Sequence, residues 1–274
     1  MCRKASWDTC MKPILLLPLL LTLAACATPA VQSGQLSSYD GLTVKPGTLR
    51  TGVAERKDAA GLAAVRQVAI EPTRLADDPR LSWLKPEERT LLLREMDAQL
   101  CFELTERYDL AVDGAQADAR VRAIVTRVAP TGRVGSAAAA AAGFFIPGPI
   151  GLRAPGTTGG LSAEAEMLSK DGRQLAALTW NRDAQPIGTD NPSLNRLGDA
   201  LQFAEPFADT AAAAMTAPGV KSRPIPKPDP CAEYGSRVRV EGWAAKFATG
   251  LYVPEMSGAK ADDAKPADQE KAPQ

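Results

Sequence analysis

The clearest secondary-structure pattern in the sequence lies in residues 161–180, LSAEAEMLSKDGRQLAALTW. Its first half alternates apolar and polar residues, which is the period of a strand with one buried face. The pair Asp171-Gly172 then predicts a type I′ turn, because that turn needs a positive φ at both central positions. Residues 175–180 return as the partner strand. The stretch therefore predicts an antiparallel β-hairpin.

Glu164 and Glu166 occupy the polar face of the first strand of this hairpin. Two neighbouring carboxylates can serve as general acid and general base, which would suit a carboxylate-based hydrolase. Polar residues at alternate positions are also what a strand presents to solvent. We expect an exposed polar face here and keep the hydrolase as an alternative.

A helix is predicted on each side of the hairpin in sequence. The first begins at Pro86, whose missing N–H costs nothing at the first helical position, and runs to about residue 108. Its apolar stripe consists of Leu93, Met96, Leu100 and Leu104. The second spans residues 193–215, with a kink expected at Pro206 because proline lacks the N–H that would close a helical hydrogen bond.

Two further strands are predicted, at residues 65–70 and 119–128, where apolar β-type residues recur. With the hairpin and the helices, the element order is strand, helix, strand, hairpin, helix. This order predicts an α+β fold, a two-layer sandwich in which a mostly antiparallel sheet of about four or five strands has two helices packed on one face.

The charge balance excludes several classes of function. The 274 residues include 32 Lys and Arg, 32 Asp and Glu, and no His. A net charge of zero gives no basic face for nucleic acid, and the lack of imidazole rules out Ser-His-Asp triads, Cys-His pairs and His-ligated metal sites. The sequence therefore predicts no catalytic residues, no metal ligands, no cofactor and no nucleic-acid partner.

The N-terminus has the pattern of an export signal. Basic residues precede an apolar run at residues 14–23, which has the length of a signal-peptide core and is too short to span a bilayer. The run ends in Leu23-Ala24-Ala25-Cys26, which resembles the lipobox of bacterial lipoproteins. The resemblance implies cleavage before Cys26 and acylation of that residue, giving three acyl chains where two anchoring signals suffice. An ordinary secreted protein and a short membrane anchor are the alternatives.

Ala27 follows the predicted lipid-bearing cysteine, at a position where many proteobacterial lipoproteins of the inner membrane have an acidic residue. By that resemblance we expect the protein on the periplasmic face of the outer membrane, with the inner membrane as the alternative. The lipid bilayer, contacted through acylated Cys26, is then a predicted partner.

The chain divides into five predicted parts. They are a signal peptide (1–25), a lipid anchor and tether (26–60), an α+β lipoprotein domain (61–216), a proline-rich linker with a C-terminal docking segment (217–256) and a disordered tail (257–274). The flexible tether and the tail are predicted from small and polar compositions that lack the apolar residues of a core.

Residues 134–152 contain no charge and include six consecutive alanines. Pro147 and Pro149 argue against a continuous helix, so the segment is predicted to be a long loop between two strands. The loop would either fold over the domain and bury its aromatic residues or stay exposed and contact a partner or a bilayer. The contact residues would be Phe144, Phe145 and Ile146.

Two other cysteines of the mature chain, Cys101 and Cys231, remain once Cys26 carries lipid. Paired thiols usually form disulfides in an oxidising compartment. A bridge would fasten the segment after the proline-rich linker, which is too short to fold alone. That segment has six large side chains to bury, namely Tyr234, Val238, Val240, Trp243, Phe247 and Tyr252. Two separate buried thiols are the alternative.

Short motifs outside the lipobox resemble a bacterial lipoprotein family known as domain of unknown function 3313. They include Leu36-Ser37-Ser38-Tyr39, Pro46-Gly47-Thr48-Leu49-Arg50, Leu104-Thr105-Glu106-Arg107-Tyr108 and Ala163-Glu164-Ala165-Glu166. The resemblance covers residues 36–216 and implies an α/β sandwich domain in the periplasm. It supplies no activity and no catalytic residues.

The leading hypothesis is a membrane-anchored, periplasm-facing lipoprotein without enzymatic activity, a structural or assembly module whose partner is an unidentified envelope protein. The alternative is a lipid- or glycan-binding envelope module that uses the apolar 134–152 loop. A pocket lined by Phe144, Phe145 and Trp180 would favour that alternative, whereas a solid core would not.

Overall fold

The computed structural model describes residues 31–46, 51–111, 114–143, 151–153, 157–185, 187–188 and 190–259. Cys26 and the three predicted loop contacts, Phe144, Phe145 and Ile146, lie outside these ranges. Their roles, and the division of the chain into five parts, therefore stay predictions.

The secondary-structure elements are numbered in chain order. The strands are β1 Thr43–Val44, β2 Thr51–Lys57, β3 Gln67–Ile70, β4 Arg74–Leu75, β5 Asp109–Leu110, β6 Ala119–Ala129, β7 Gly151–Leu152, β8 Gly160–Ser169, β9 Gln174–Asp183 and β10 Ile187–Gly188. The helices are α1 Ala59–Ala63, α2 Pro86–Thr105, α3 Arg133–Gly143, α4 Gly198–Gln202, α5 Ala204–Ala214, α6 Val240–Thr249 and α7 Pro254–Ser257.

Eight of the strands form one sheet in the order β1-β2-β9-β8-β6-β3-β5, with β4 also paired to β6. The pairs from β1 to β6 are antiparallel, whereas β3 pairs in parallel with β5 and β6. The sheet is larger than the predicted four or five strands. Three of the missed strands have only two residues, too few to show a period, and β2 lies in the stretch assigned to the tether.

The predicted hairpin is confirmed as β8 and β9, with Glu164 opposite Thr179. Its turn is not type I′, because Gly172 has a positive φ of 83° and no other turn residue does. The N–H of Gly172 donates to the carbonyl of Ser169 at 2.9 Å. The result is a three-residue loop that ends in a left-handed glycine, the next most common hairpin connection.

The first predicted helix is confirmed as α2, which begins at Pro86 and ends at Thr105. The second is instead two helices, α4 and α5, which meet at Phe203. The interruption expected from Pro206 is present at Phe203, because α4 ends at Gln202, whose carbonyl would need the N–H that Pro206 lacks. The predicted 134–152 loop is helical in its first half, where the alanine-rich α3 lies.

The core lies between one face of the sheet and the layer formed by α2, α4 and α5. α2 and α5 contact each other, so the two predicted helical regions pack on the same face of the sheet. Trp180 is 2% exposed and meets Phe207 edge-on, with ring centroids 5.7 Å apart. Trp180 therefore belongs to the packed core. No helix in the described part of the chain has both the length and the apolar character needed to cross a membrane.

Candidate functional site

The face of the sheet opposite the helices is covered, contrary to the prediction of an exposed polar face. Glu164 and Glu166 are 1% and 0% exposed. Residues 31–46, here called the N-terminal arm, cross this outer face and contact both side chains. The prediction was wrong because alternation along a strand indicates which residues share a face but not whether another segment covers that face.

Glu166 holds the middle of the arm. Its carboxylate accepts the backbone N–H of Ser37 at 3.0 Å, the hydroxyl of Ser37 at 2.6 Å and the side-chain amide of Gln174 at 2.7 Å. The guanidinium of Arg122 on β6 pairs with the same carboxylate. A buried carboxylate is costly unless donors surround it, and here the donors come from two strands and from the arm.

Glu164 holds the start of the arm. It accepts the N–H of Ser33 at 2.7 Å, the N–H of Gln35 at 3.3 Å and the hydroxyl of Tyr39 at 2.6 Å. The Tyr39 oxygen in turn accepts the N–H of Gln35 at 2.8 Å, so the arm folds back on itself around this hydroxyl. Burial, followed by the hydrogen bond to Glu164, raises the pKa of Tyr39 above its ordinary value of 10.0.

These contacts indicate what the two carboxylates can do. The donors that surround them belong to the chain itself, and the arm lies over both. A general acid or base must reach a proton of the substrate, and such a proton has no approach to a carboxylate buried in this way. The pair is suited to fixing the arm, so the hydrolase alternative loses the residues that motivated it.

The register of the contacts fixes the direction of the arm. Ser33 contacts Glu164 and Ser37 contacts Glu166, so the arm runs alongside β8 in the same direction. Followed backwards, the arm leads to the end of the sheet where β8 begins and β6 ends. Cys26 is five residues before Val31 and therefore lies within about 18 Å of it, whatever path the chain takes.

A second attachment lies on α2. Cys101 and Cys231 form a disulfide with their Cα atoms 5.9 Å apart, which confirms the predicted pairing. Both cysteines are buried in a small apolar cluster distinct from the main core. The disulfide fastens residues 217–259, here called the C-terminal segment, to the helix.

Arg237 reinforces this attachment. Its guanidinium donates to the carbonyl of Phe102 at 2.7 Å and to the hydroxyl of Thr105 at 2.8 Å, and it lies 4.7 Å from the centre of the Phe102 ring. The same guanidinium pairs with Asp229 at 2.9 Å, which holds the pKa of that carboxyl below its usual range. Arg237 thus ties the C-terminal segment both to itself and to the last turn of α2.

The segment returns to α2 at Glu95, which is 3% exposed. The Glu95 carboxylate accepts the side-chain amide of Gln99 at 2.7 Å and the backbone N–H of Ala259. The guanidinium of Arg239 lies 3.7 Å from it. Sequence reasoning missed Glu95, because a glutamate in a charged helix gives no signal that a distant segment will bury it.

Four of the six residues expected to be buried in this segment are exposed. Val238, Val240, Trp243 and Phe247 are 75%, 64%, 68% and 82% exposed. By contrast, Tyr252 packs against the main core, and Tyr234 meets Phe102 edge-on at 6.4 Å. The expectation was wrong because the disulfide, Arg237 and Glu95 hold the segment, so that α6 does not need its large apolar residues for attachment. Among the residues that the structure describes, no acidic or cysteine side chains form a group able to hold a metal ion.

The protein is thus an α+β domain whose sheet is covered by helices on one face and by its own N-terminal arm on the other. The sequence profile of the family described as "Protein of unknown function (DUF3313)" matches residues 31–211. The chain therefore belongs to that family. The match begins with the arm, so the arm is part of the domain that the family shares. No curated protein matches the chain.

Among solved structures, the chain is similar to the PelC dodecamer from Paraburkholderia phytofirmans, with 9% identity over 61% of this chain and 98% of that chain and a TM-score of 0.35. It is also similar to a DUF4136 family protein from Bacteroides thetaiotaomicron, with 11% identity, the same two coverages and a TM-score of 0.35. These sequence identities and TM-scores are too low to support any statement about function.

Proposed function

We propose that this protein is a lipoprotein that is anchored through acylated Cys26 and faces the periplasm from the outer membrane. We further propose that its domain is a non-enzymatic structural or assembly module of the cell envelope. The proposal joins the lipobox-like Leu23-Ala24-Ala25-Cys26 to the way in which the arm and the C-terminal segment are held.

The docked arm is the observation that carries the proposal. It follows β8 back to Val31, which leaves four residues between the domain and the predicted lipid-bearing cysteine. So short a connection spans at most about 18 Å, in place of the long flexible tether expected from the sequence. The domain would therefore be held close to the bilayer surface, as suits a module that positions another component there.

The disulfide supports a location in the periplasm. A bond between Cys101 and Cys231 is favoured in the periplasm and disfavoured in the cytosol, where thiols are kept reduced. Ala27 supports a location at the outer membrane. Many proteobacterial lipoproteins that are retained in the inner membrane have an acidic residue at this position, and this chain does not.

The test of the anchor is incorporation of labelled palmitate in cells. We expect label in the wild-type protein and none in Cys26→Ser, which should accumulate as precursor or leave the membrane fraction. Ala27→Asp is the matched variant, because it should keep the label while moving the protein towards the inner membrane. Label retained in Cys26→Ser would refute the anchor.

The test of the assembly role is crosslinking in intact cells. The anchored wild-type protein should repeatedly capture one envelope protein, and the yield should fall in Cys26→Ser, because that variant no longer holds the domain at the membrane. Recovery of a bound lipid or glycan, with no protein adduct, would instead favour the binding-module alternative.

A further inference from the structure

One helix of the C-terminal segment presents its apolar side to solvent. In α6, Gly242 is buried against α7, and a Cβ added to it would lie 2.4 Å from Ser257 Oγ. At 100° per residue, residues 240, 244 and 247 lie about 140–160° from Gly242, and residue 243, about 100° from it, adjoins them. These residues, here called the α6 stripe, are Val240, Trp243, Ala244 and Phe247, and all of them are exposed.

The α6 stripe places two large aromatic side chains side by side on the surface. Trp243 and Phe247 lie one turn apart with nearly parallel rings, 18° between their planes and 5.8 Å between centroids. Lys246 is exposed on the same helix. Large apolar side chains on one side of a surface helix, beside a basic residue, are typical of helices that lie in the interface of a bilayer.

The C-terminal end of α6, which follows Phe247, lies near the end of the domain to which the arm leads. A Cβ added to Gly250, at the end of α6, would lie 4.0 Å from the carbonyl oxygen of Ala140 in α3. α3 itself starts four residues after Ala129, the last residue of β6, and Ala129 pairs with Gly160, the first residue of β8. The arm, followed back towards Cys26, therefore leads to the same end of the sheet as α3 and α6.

We infer that the α6 stripe is a membrane contact, which inserts Trp243 and Phe247 into the surface of the bilayer that holds Cys26. This inference rests on the proposed function, since the anchor supplies the membrane. With a reach of at most about 18 Å between Val31 and Cys26, the lipid anchor keeps this end of the domain near the membrane surface. Lys246 would then meet anionic headgroups.

A second copy of the chain fits the stripe less well. A stable protein interface buries about 800 Å² on each partner, whereas two aromatic side chains bury about 150–250 Å² each. One helix of ten residues with Trp243, Phe247 and small neighbours falls short of that area. Two aromatic residues at a membrane interface, in contrast, add usefully to a lipid anchor.

The experiment uses the chain from residue 27 onwards, exported behind a signal peptide that lacks a lipobox, so that the α6 stripe is tested without the anchor. Flotation with vesicles of phosphatidylethanolamine and a minority of phosphatidylglycerol should recover the protein in the lipid fraction. The double variant Trp243→Ala/Phe247→Ala should bind the vesicles at least about tenfold more weakly. The matched control is Val220→Ala/Ile225→Ala, which removes two other exposed apolar residues and should float as the parent does.

Trp243→Phe provides a second readout that does not depend on the double variant folding. This variant keeps the stripe apolar and should still float, but it should lose the quenching of tryptophan emission by brominated lipid. Absence of flotation by the parent, equal flotation of the double variant, or a dimer that the double variant abolishes would overturn the inference. Palmitate labelling is a separate readout, since absence of label from the wild-type protein refutes the anchor whereas absence of flotation refutes the stripe.

Discussion

The N-terminal arm and the C-terminal segment are attached to the same domain by different chemistry. The arm lies on the outer face of the sheet and is held by hydrogen bonds to the buried carboxylates of Glu164 and Glu166. The C-terminal segment lies against α2 and is held by the Cys101–Cys231 disulfide with the support of Arg237. Each segment contributes few residues to the main core.

Because the two attachments differ chemically, different conditions should release each segment. Hydrogen bonds to a carboxylate depend on the charge of the acceptor, so the arm should respond to substitutions that neutralise this charge. Through the Tyr39 hydroxyl, the arm should also respond to alkaline pH. A disulfide is insensitive to charge but can be reduced. Each of the variants below should therefore loosen one segment and leave the other in place.

Removal of the disulfide should have the largest effect. Cys101→Ser/Cys231→Ser opens a loop with a sequence separation of 130 residues, for which the chain-entropy model gives about 4–5 kcal/mol of unfolding free energy. Urea unfolding measures the loss, and wild-type protein with reductant is the matched sample. Amide exchange should speed up in the C-terminal segment while the Ser37 amide in the arm stays protected. A loss below about 1 kcal/mol would contradict the role of the disulfide.

Glu166→Gln should come next. It removes the charge that accepts hydrogen bonds from Ser37 and Gln174 and leaves Arg122 without its counter-ion, at a cost of about 2–3 kcal/mol. Exchange of the arm amides should become faster, and the C-terminal segment should be unaffected.

Glu71→Gln is the matched control for that substitution. Glu71 also pairs with an arginine of β6, Arg120, at 3.6 Å, but the two side chains are 38% and 47% exposed. An exposed pair contributes little, so the control should cost less than about 0.5 kcal/mol. Equal effects of the two substitutions would mean that burial of Glu166 under the arm does not matter.

Arg237→Lys tests the C-terminal segment without breaking the disulfide. Lysine keeps the charge but cannot donate to Phe102 and Thr105 at once or stack on the Phe102 ring, so we expect a loss of about 1–2 kcal/mol. Faster exchange near residues 229–240, with the disulfide intact by mass spectrometry, is the signature. Arg80→Lys, at an exposed pair with Asp78, should cause no measurable change.

The sequence predicted those parts of the fold in which a regular pattern of apolar residues repeats over a long stretch. The hairpin of β8 and β9 and the helix α2 each repeat their pattern over ten or more residues, and both are confirmed. The disulfide was also predictable, because Cys101 and Cys231 are the two cysteines that follow the predicted lipobox.

The arm and the exposed α6 stripe were not predictable, because each depends on which segment covers which surface. Residues 33–38 have the composition of a flexible tether. Their fixed position comes from the hydrogen-bond donors that the buried carboxylates of Glu164 and Glu166 require. Trp243 and Phe247 have the composition of a core, and their exposure follows from Gly242 facing α7. Composition alone predicts a flexible arm and a buried α6 stripe, and the structure shows the reverse for both.

Tyr39→Phe should give the smallest effect and the most specific one. At neutral pH it removes the hydroxyl that donates to Glu164 at 2.6 Å, at a cost of about 1 kcal/mol. Burial and this hydrogen bond raise the pKa of Tyr39, so above pH 10.0 the unfolded chain loses the tyrosine proton while the folded protein still holds it. Because the unfolded state then binds fewer protons, the stabilisation by Tyr39 is complete below its unfolded pKa and falls as the pH rises through the folded pKa.

The measurement is the difference in unfolding free energy between wild type and Tyr39→Phe, followed from neutral pH to above pH 10. The difference is needed because the pKa values of Tyr108 and Tyr252 are also raised, and their contributions are common to both proteins. We expect the difference to be constant up to about pH 9 and to shrink above that, with faster exchange confined to the arm. A difference that stays constant through the alkaline range would mean that Tyr39 keeps its proton equally in both states, and that its hydroxyl is not what closes the arm on Glu164.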